Sequence, residues 1–206
     1  MKKIGLLLIL LLSVVFIVNS SPLGMELEVR GGGYLTVAPE SAKNMFGNGY
    51  LLGGSLRKSI FPMVKVGVSI DRITFSKDAL QYVDMSQEMQ ETVSSTSDEV
   101  DIDYNMLPIC GEIMVEPPVV PLYAHAGIGM YRSSIKITVK DTGDVPYDKS
   151  DSKLGGFIGA GTKLGLPMIP ISFRAGAKYH ILKLEDKALE ESMKAISVEA
   201  GVRLSF

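Results

Sequence analysis

Apolar and polar residues alternate with a two-residue period along most of this chain, and the alternation is cleanest over its last thirteen residues, 194–206. Lys194, Ile196, Val198, Ala200, Val202, Leu204 and Phe206 share one side; Ala195, Ser197, Glu199, Gly201, Arg203 and Ser205 share the other. Such a period puts successive side chains on opposite faces of a strand, whereas a helix would group them every three or four positions. Read in the same way, the whole chain predicts eight strands, at residues 26–37, 49–60, 63–75, 100–116, 121–139, 152–166, 169–182 and 194–206. The 21 Gly and 10 Pro support strands over helices, because each would cost a helix interior about 1 and about 3 kcal/mol respectively.

The predicted links alternate in kind. Strands two and three, four and five, and six and seven meet at tight turns containing Pro62, Pro117 with Pro118, and Pro167. The other four links, 38–48, 76–99, 140–151 and 183–193, are longer and polar. An all-β, eight-stranded, antiparallel up-and-down transmembrane barrel has this asymmetry, with short turns at one rim and long loops at the other. A Greek-key sandwich does not sort its connections so regularly.

Extending the phase of the last strand puts an apolar set outward, including Val29, Leu52, Val66, Val68, Ile109, Ile128, Ile158 and Phe173. Outward charges are few: Lys58, Arg72 and Lys194, near strand ends where a long stem reaches the interface. The inward set carries the basic residues Arg30, Arg57, Lys65, Lys163, Arg174, Lys178 and Arg203 and the acidic residues Glu26, Glu28, Asp71, Glu112, Glu116 and Glu199. Seven cations against six anions make a self-neutralising charge network that fills the lumen, and eleven inward glycines leave room for the long side chains. Alternation falters near Arg72–Ile73, Met106 and Arg132–Ser134, where β-bulges or strand ends rising above a membrane are expected. Aromatic girdles, which such barrels carry at both interfaces, would rest on Phe61 and Phe206 at one end and on Phe46, Tyr50 and Tyr179 at the other.

The amino-terminal end changes the setting. Met1, Lys2 and Lys3 precede an apolar run of fifteen residues, 4–18, and a small polar exit at Asn19, Ser20 and Ser21. That run is too short for the ~20 apolar residues that span a bilayer, so residues 1–20 read as a cleaved signal peptide and 21–206 as the barrel domain. Without Lys2 and Lys3, the 21 Lys+Arg become 19 against 23 Asp+Glu, a balance of −4. Nucleic acid, which demands a clustered basic surface, is excluded as a partner. The single Cys110 rules out an internal disulfide.

Four segments, LYAHAGIGMY, GGFIGAGTKLGL, SFRAGAKYH and ISVEAGVRLSF, together with the carboxy-terminal Phe206, resemble the small eight-stranded outer-membrane β-barrels of the OmpA and OmpX type. The resemblance implies an outer-membrane location, contact with outer-membrane lipid and delivery by the barrel-assembly machinery. It also implies that Val202, Leu204 and Phe206 act as an assembly signal. About activity it implies little, since these barrels serve as anchors, adhesins, narrow transporters and in some cases lipid-modifying enzymes. The rival from another class is a soluble, lipocalin-like barrel with its apolar face turned inward around a ligand, and alternation alone does not separate the two.

Chemistry is sparse. His125 and His180 share the inward face with Ser55, Ser69, Ser172 and Ser197, but no spacing demands a Ser–His pair, and a lumen hydrogen bond is the expected role. No catalytic, cofactor-binding or metal-ligating set is predicted. The remaining candidates are the acidic links. Residues 76–101 carry seven Asp or Glu against one Lys, and 140–153 carry Asp141, Asp144, Asp148 and Asp151. Tyr82, Met85, Met89 and Val93 have helical spacing there, and a surface partner at these loops is the expectation.

Overall fold

A computed structural model describes residues 24–40, 47–75, 100–139, 147–165, 169–183 and 192–206. The candidate signal peptide, most of the long links and the helical spacing at 82–93 lie outside the described residues. Eight strands follow in order: β1 (Met25–Ala38), β2 (Asn48–Phe61), β3 (Val64–Phe75), β4 (Val100–Val115), β5 (Leu122–Val139), β6 (Tyr147–Gly165), β7 (Ile171–Leu182) and β8 (Met193–Ser205). Each pairs antiparallel with its sequence neighbours, and β1 pairs with β8, so the sheet closes on itself. The fold is therefore an all-β, eight-stranded, closed up-and-down barrel.

Strand β6 starts five residues before the alternation signals it. Its first stretch, Tyr147 to Asp151, is polar and reads as loop, yet it continues in register against the long β5, with Ile137 opposite Tyr147. Both strands thus run well past the apolar band, and the link that the pattern places at 140–151 contracts to 140–146.

The expected bulges are absent. Register is constant through Ile70↔Ile109 and Ile73↔Met106 and through Met106↔Ser133 and Pro108↔Tyr131. Pro108, which has no N–H to donate, explains the local gap in the β3–β4 ladder better than an inserted residue does. Register shifts occur instead at Thr36/Ala38 on the seam with β8 and at Ser59/Phe61 beside the tight turn. The faltering alternation has another origin: Ile73, Phe75, Tyr104 and Met106 keep the inward phase and are buried, so apolar residues occupy the interior at that level.

The two faces are sharply sorted. Val29, Leu52, Val68, Ile70, Ile128, Ile158, Leu164 and Val198 are exposed on the outside, while Glu28, Arg30, Arg57, Glu112, Arg174 and Lys178 are buried inside. A barrel with an apolar interior for a soluble ligand is excluded by this orientation. An isolated β-sheet edge would leave unpaired backbone groups in lipid, and closure removes every edge.

Placing a charge on the apolar exterior tests the assignment. Val198→Arg, at a position 58% exposed on β8, should lower stability by about 2–4 kcal/mol in urea titration of the protein in lipid vesicles. Ser152→Arg, exposed above the band on β6, should cost little; equal losses at both positions would overturn the membrane-facing reading of β8.

Candidate functional site

The densest concentration of chemical groups among the described residues is the barrel interior, and it is built in belts along the axis. Inward positions two apart on each strand deliver successive belts, because the period of two returns the side chain to the same face. Nearest the tight turns, Glu116 gathers three cations: Lys65 Nζ at 3.0 Å, Arg203 Nη1 at 2.7 Å and Lys163. Glu26 joins Lys65 at 2.5 Å and Arg203 at 3.2 Å. Arg203 Nε also donates to Ser172 Oγ at 2.7 Å.

The next belt pairs Glu28 with Arg57 at 2.5 Å and with Arg174, and Arg57 Nε with Glu112 at 2.6 Å. The third pairs Arg30 with Asp71 at 2.7 Å and with Glu199 at 3.2 Å, and Lys178 with Glu199 at 3.0 Å. Arg30 Nη1 lies 3.8 Å from Glu28 and ties the second belt to the third. All seven cations and all six anions of these belts are thus ion-paired, most of them with two or more partners. An unpaired charge taken out of water costs several kcal/mol, and partners plus added hydrogen bonds offset that cost.

The seam between β1 and β8 is part of the network. Glu28 is the register partner of Arg203, and Arg30 and Glu199 are diagonal neighbours. Only the second couple is a direct ion pair; Glu28 turns to Arg57 and Arg174, and Arg203 to Glu26 and Glu116. Two backbone hydrogen bonds complete the seam, from Phe206 N to Met25 O at 3.0 Å and from Met25 N to Phe206 O at 2.9 Å. Val202 and Leu204 stand exposed on the outer face beside them.

Glycine shapes the β5–β7 wall. The ring of Tyr123 carries the Arg174 guanidinium 3.6 Å from its centroid, a cation–π contact. Its hydroxyl occupies the space where any side chain at Gly161 or Gly176 would stand. A Cβ at Gly159 would fall 2.6 Å from His125 Nε2. These strands therefore have to present bare backbone where their neighbours send in rings.

Above the charged belts the interior changes character. Tyr34, Leu51, Ile73, Phe75, Tyr104, Met106, Tyr131, Phe157, Leu182 and Met193 form one buried cluster. Tyr34 meets Phe75 edge-on with centroids 5.7 Å apart, and Phe75 meets Tyr104 at 4.9 Å, spacings favoured by aromatic quadrupoles. This apolar plug is the feature that sequence reasoning missed: a uniformly charged interior was expected. The aromatic residues follow it inward. Tyr50 and Phe61 are exposed and Tyr179 and Phe206 partly so, whereas six Tyr and Phe side chains are buried in the lumen. Phe46 lies outside the described residues. The signal available in the sequence was that the inward phase turns apolar toward the long-link end in β3, β4, β7 and β8 together.

At the boundary, Tyr131 Oη lies 3.1 Å from His180 Nδ1, and His180 Nε2 lies 3.0 Å from Ser197 Oγ. This places a serine, a base and an orienting group in line. Tyr131 and His180 are each 1% exposed and Ser197 is 0%, so no substrate reaches the hydroxyl, and the contacts act as a clasp between β5, β7 and β8. His125 sits elsewhere, edge-on between Tyr123 and Phe157. Its Nδ1 is 3.8 Å from Glu112 Oε2, too far for a direct hydrogen bond. Among the described residues no group of His, Cys, Asp or Glu is placed to hold a metal ion.

Fold and interior together define a small eight-stranded outer-membrane-type β-barrel with a filled lumen. Solved structures of that class resemble it along nearly the whole chain. Neisserial surface protein A matches with a TM-score of 0.51 and 13% identity, covering 90% of this chain and 98% of its own. Ail, the attachment invasion locus protein of Yersinia pestis, matches at 0.53 and 12%, covering 90% and 100%. A major outer membrane protein of Thermus thermophilus matches at 0.52 and 13%, covering 88% and 99%. No protein-family model matches the chain, and no curated protein matches it in sequence. At such identities the likeness shows a shared fold.

The coupling within the belts has a measurable signature. Glu28→Ala leaves Arg57 and Arg174 facing each other without their shared anion and should cost about 3–5 kcal/mol. In the double variant Glu28→Ala/Arg57→Ala the loss should fall well short of the sum of the two single losses. Additive losses in equilibrium unfolding would show that the pairs act independently.

Proposed function

We propose that this protein is exported by a cleaved signal peptide and inserted in an outer membrane, where it serves as a non-enzymatic structural or surface-interaction protein acting through its external loops. The observation that carries this reading is the combination of an apolar exterior with an interior occupied from end to end. Charged belts fill the turn end and an apolar plug fills the other, so eight strands leave the lumen to side chains. Function then falls to what the barrel displays. The tight turns and both chain ends share one rim, which is the periplasmic rim of such barrels, and the long links extend from the external one.

The chemistry of those links sets the kind of surface partner. Ail has been crystallised with the heparin analogue sucrose octasulfate, a polyanion. In this chain the external link at residues 76–101 is acidic, with seven Asp or Glu against one Lys, and that link would repel a polyanion. A cationic partner, or a divalent cation bridging to surface glycolipid, fits the charge.

Assembly is the second element. The exposed pair Val202 and Leu204 and the terminal Phe206, zipped to Met25, present an apolar edge at the last strand to be closed, which suits recognition by the barrel-assembly machinery. Deleting Phe206 should reduce surface levels in cells severely while leaving refolding from urea into micelles nearly intact; normal surface levels would overturn the assembly role. The filled lumen makes a second measurable claim. Purified protein in planar bilayers should show no stable, large unitary conductance, and reproducible porin-like steps would make the protein a transporter instead.

A further inference from the structure

The surplus cation of the lumen has a definite place. The second belt sets Arg57 and Arg174 against Glu28 and Glu112, and the third sets Arg30 and Lys178 against Asp71 and Glu199. The belt nearest the tight turns sets three cations, Lys65, Lys163 and Arg203, against two anions, Glu26 and Glu116. One positive charge is therefore left over at that mouth. A charge without a counterpart costs least where water reaches it, and the Lys163 side chain is 20% exposed against 0% for Arg57. Its ammonium has Glu116 as its one ion-pair partner among the described residues.

The mouth above this belt is open. The inward position that follows Arg57 on β2 is Ser59, the one that follows Lys163 on β6 is Gly165, and the one that follows Arg203 on β8 is Ser205, since the strand period returns to one face every two residues. None of the three reaches across the lumen: a Cβ at Gly165 would meet no atom within 4 Å. Phe206 makes no ion pair with the three cations among the described residues. The result is a shallow cup with small side chains at its lip and a cationic floor.

Around the cup stands an apolar collar made by the turns. Phe61 and Met63 between β2 and β3, Val119 and Val120 between β4 and β5, and Ile169 before β7 are all exposed, Val119 to 90%. No residue in the stretches 60–63, 117–122 and 169–171 is charged. Pro62, Pro117, Pro118, Pro121 and Pro170 hold their φ angles fixed, so the collar loses little freedom when something docks on it. Apolar side chains grouped around a charged cup are the composition of a contact surface.

We propose that this mouth is a docking site for an extended segment of a periplasmic protein in which apolar and acidic side chains alternate. Its carboxylates reach Lys163 in the cup, and its apolar side chains lie on the collar of Phe61, Met63, Val119 and Ile169. Charge complementarity selects this partner, because a basic segment meets a surplus of its own sign and a neutral one leaves that surplus unmatched. The surface lies at the rim opposite the long links. That the partner is periplasmic rests on the outer-membrane reading above, whereas the cup and collar rest on the closed barrel alone.

The test is fluorescence anisotropy of labelled synthetic peptides with the full chain in phosphatidylcholine nanodiscs, empty nanodiscs serving as the blank. One peptide alternates leucine with glutamate, and its glutamine and lysine analogues differ from it only in charge. The glutamate peptide should bind about tenfold more tightly than the glutamine analogue, and the lysine analogue least. Lys163→Gln, which leaves Glu116 with Lys65 and Arg203, should bring the glutamate peptide down to the glutamine level. Val119→Ser should weaken both, and Lys58→Gln, an outward cation at the same end, should change nothing. Heat-modifiable gel mobility confirms that each variant is read as a folded barrel. Equal affinity for the three peptides overturns the charged cup as a docking site, and unchanged binding by Val119→Ser overturns the collar. Displacement of the glutamate peptide by inorganic phosphate would make the cup a small-anion site and overturn the peptide as ligand. Sidedness is read separately, because Val119→Cys should react with a membrane-impermeant maleimide in cells only after the outer membrane is permeabilised, the native Cys110 being buried. Labelling of intact cells overturns the orientation of the barrel and leaves the peptide site standing.

Discussion

Closure of β1 onto β8 is the constraint on which the rest of this structure depends. In lipid an unpaired backbone N–H or C=O costs several kcal/mol, so a sheet can cross only if it has no edge. Once the sheet is closed, the two-residue period leaves each side chain two choices, the hydrocarbon outside or the enclosed lumen. Neither accepts a lone charge. The ion-paired belts follow from this: Glu28 on β1 reaches Arg57 on β2 and Arg174 on β7, and Glu116 after β4 reaches Lys65, Lys163 and Arg203 from three other strands. Side chains from both ends of the sequence meet across the lumen only when the seam is shut, so the network favours the closed barrel over any open sheet.

Much of this was legible in the sequence, because period-two alternation and the sorting of link lengths are local signals. Strand existence and phase needed no partner information. What was not legible depends on axial position. Alternation states whether Ile73 points in or out only if its neighbours agree, and Arg72 on the outside with Ile73 on the inside looked like a slipped phase. The physical reason is that both environments change with height: the exterior turns polar above the band just where the interior turns apolar. A local pattern then inverts without any bulge. The start of β6 was hidden for a related reason, since residues that pair above the membrane lose the apolar face that marks a strand.

The vertical division of the interior bears on how the barrel is sealed. Charged belts alone would make a wall whose pairs can exchange partners, because several anions face more than one cation within reach; Asp71, for example, has Arg30 at 2.7 Å and Lys178 at 3.7 Å. Such exchange is a route for water and small ions in an otherwise filled lumen. An aromatic plug is held mainly by ring contacts instead of by interchangeable ions. Moving Tyr34, Phe75 or Tyr104 aside loses dispersion contacts and exposes apolar area with nothing gained in return. Placing that plug at the long-link end and the adaptable belts at the tight-turn end confines any fluctuation of the charges to one end of the barrel. The Tyr131–His180–Ser197 clasp sits at the border between the two regimes, holding β5, β7 and β8 together where polar packing gives way to apolar. A seal of this kind explains why the polar groups of the interior, numerous as they are, add up to a scaffold: ion pairs hold the strands together at one end and rings close the other.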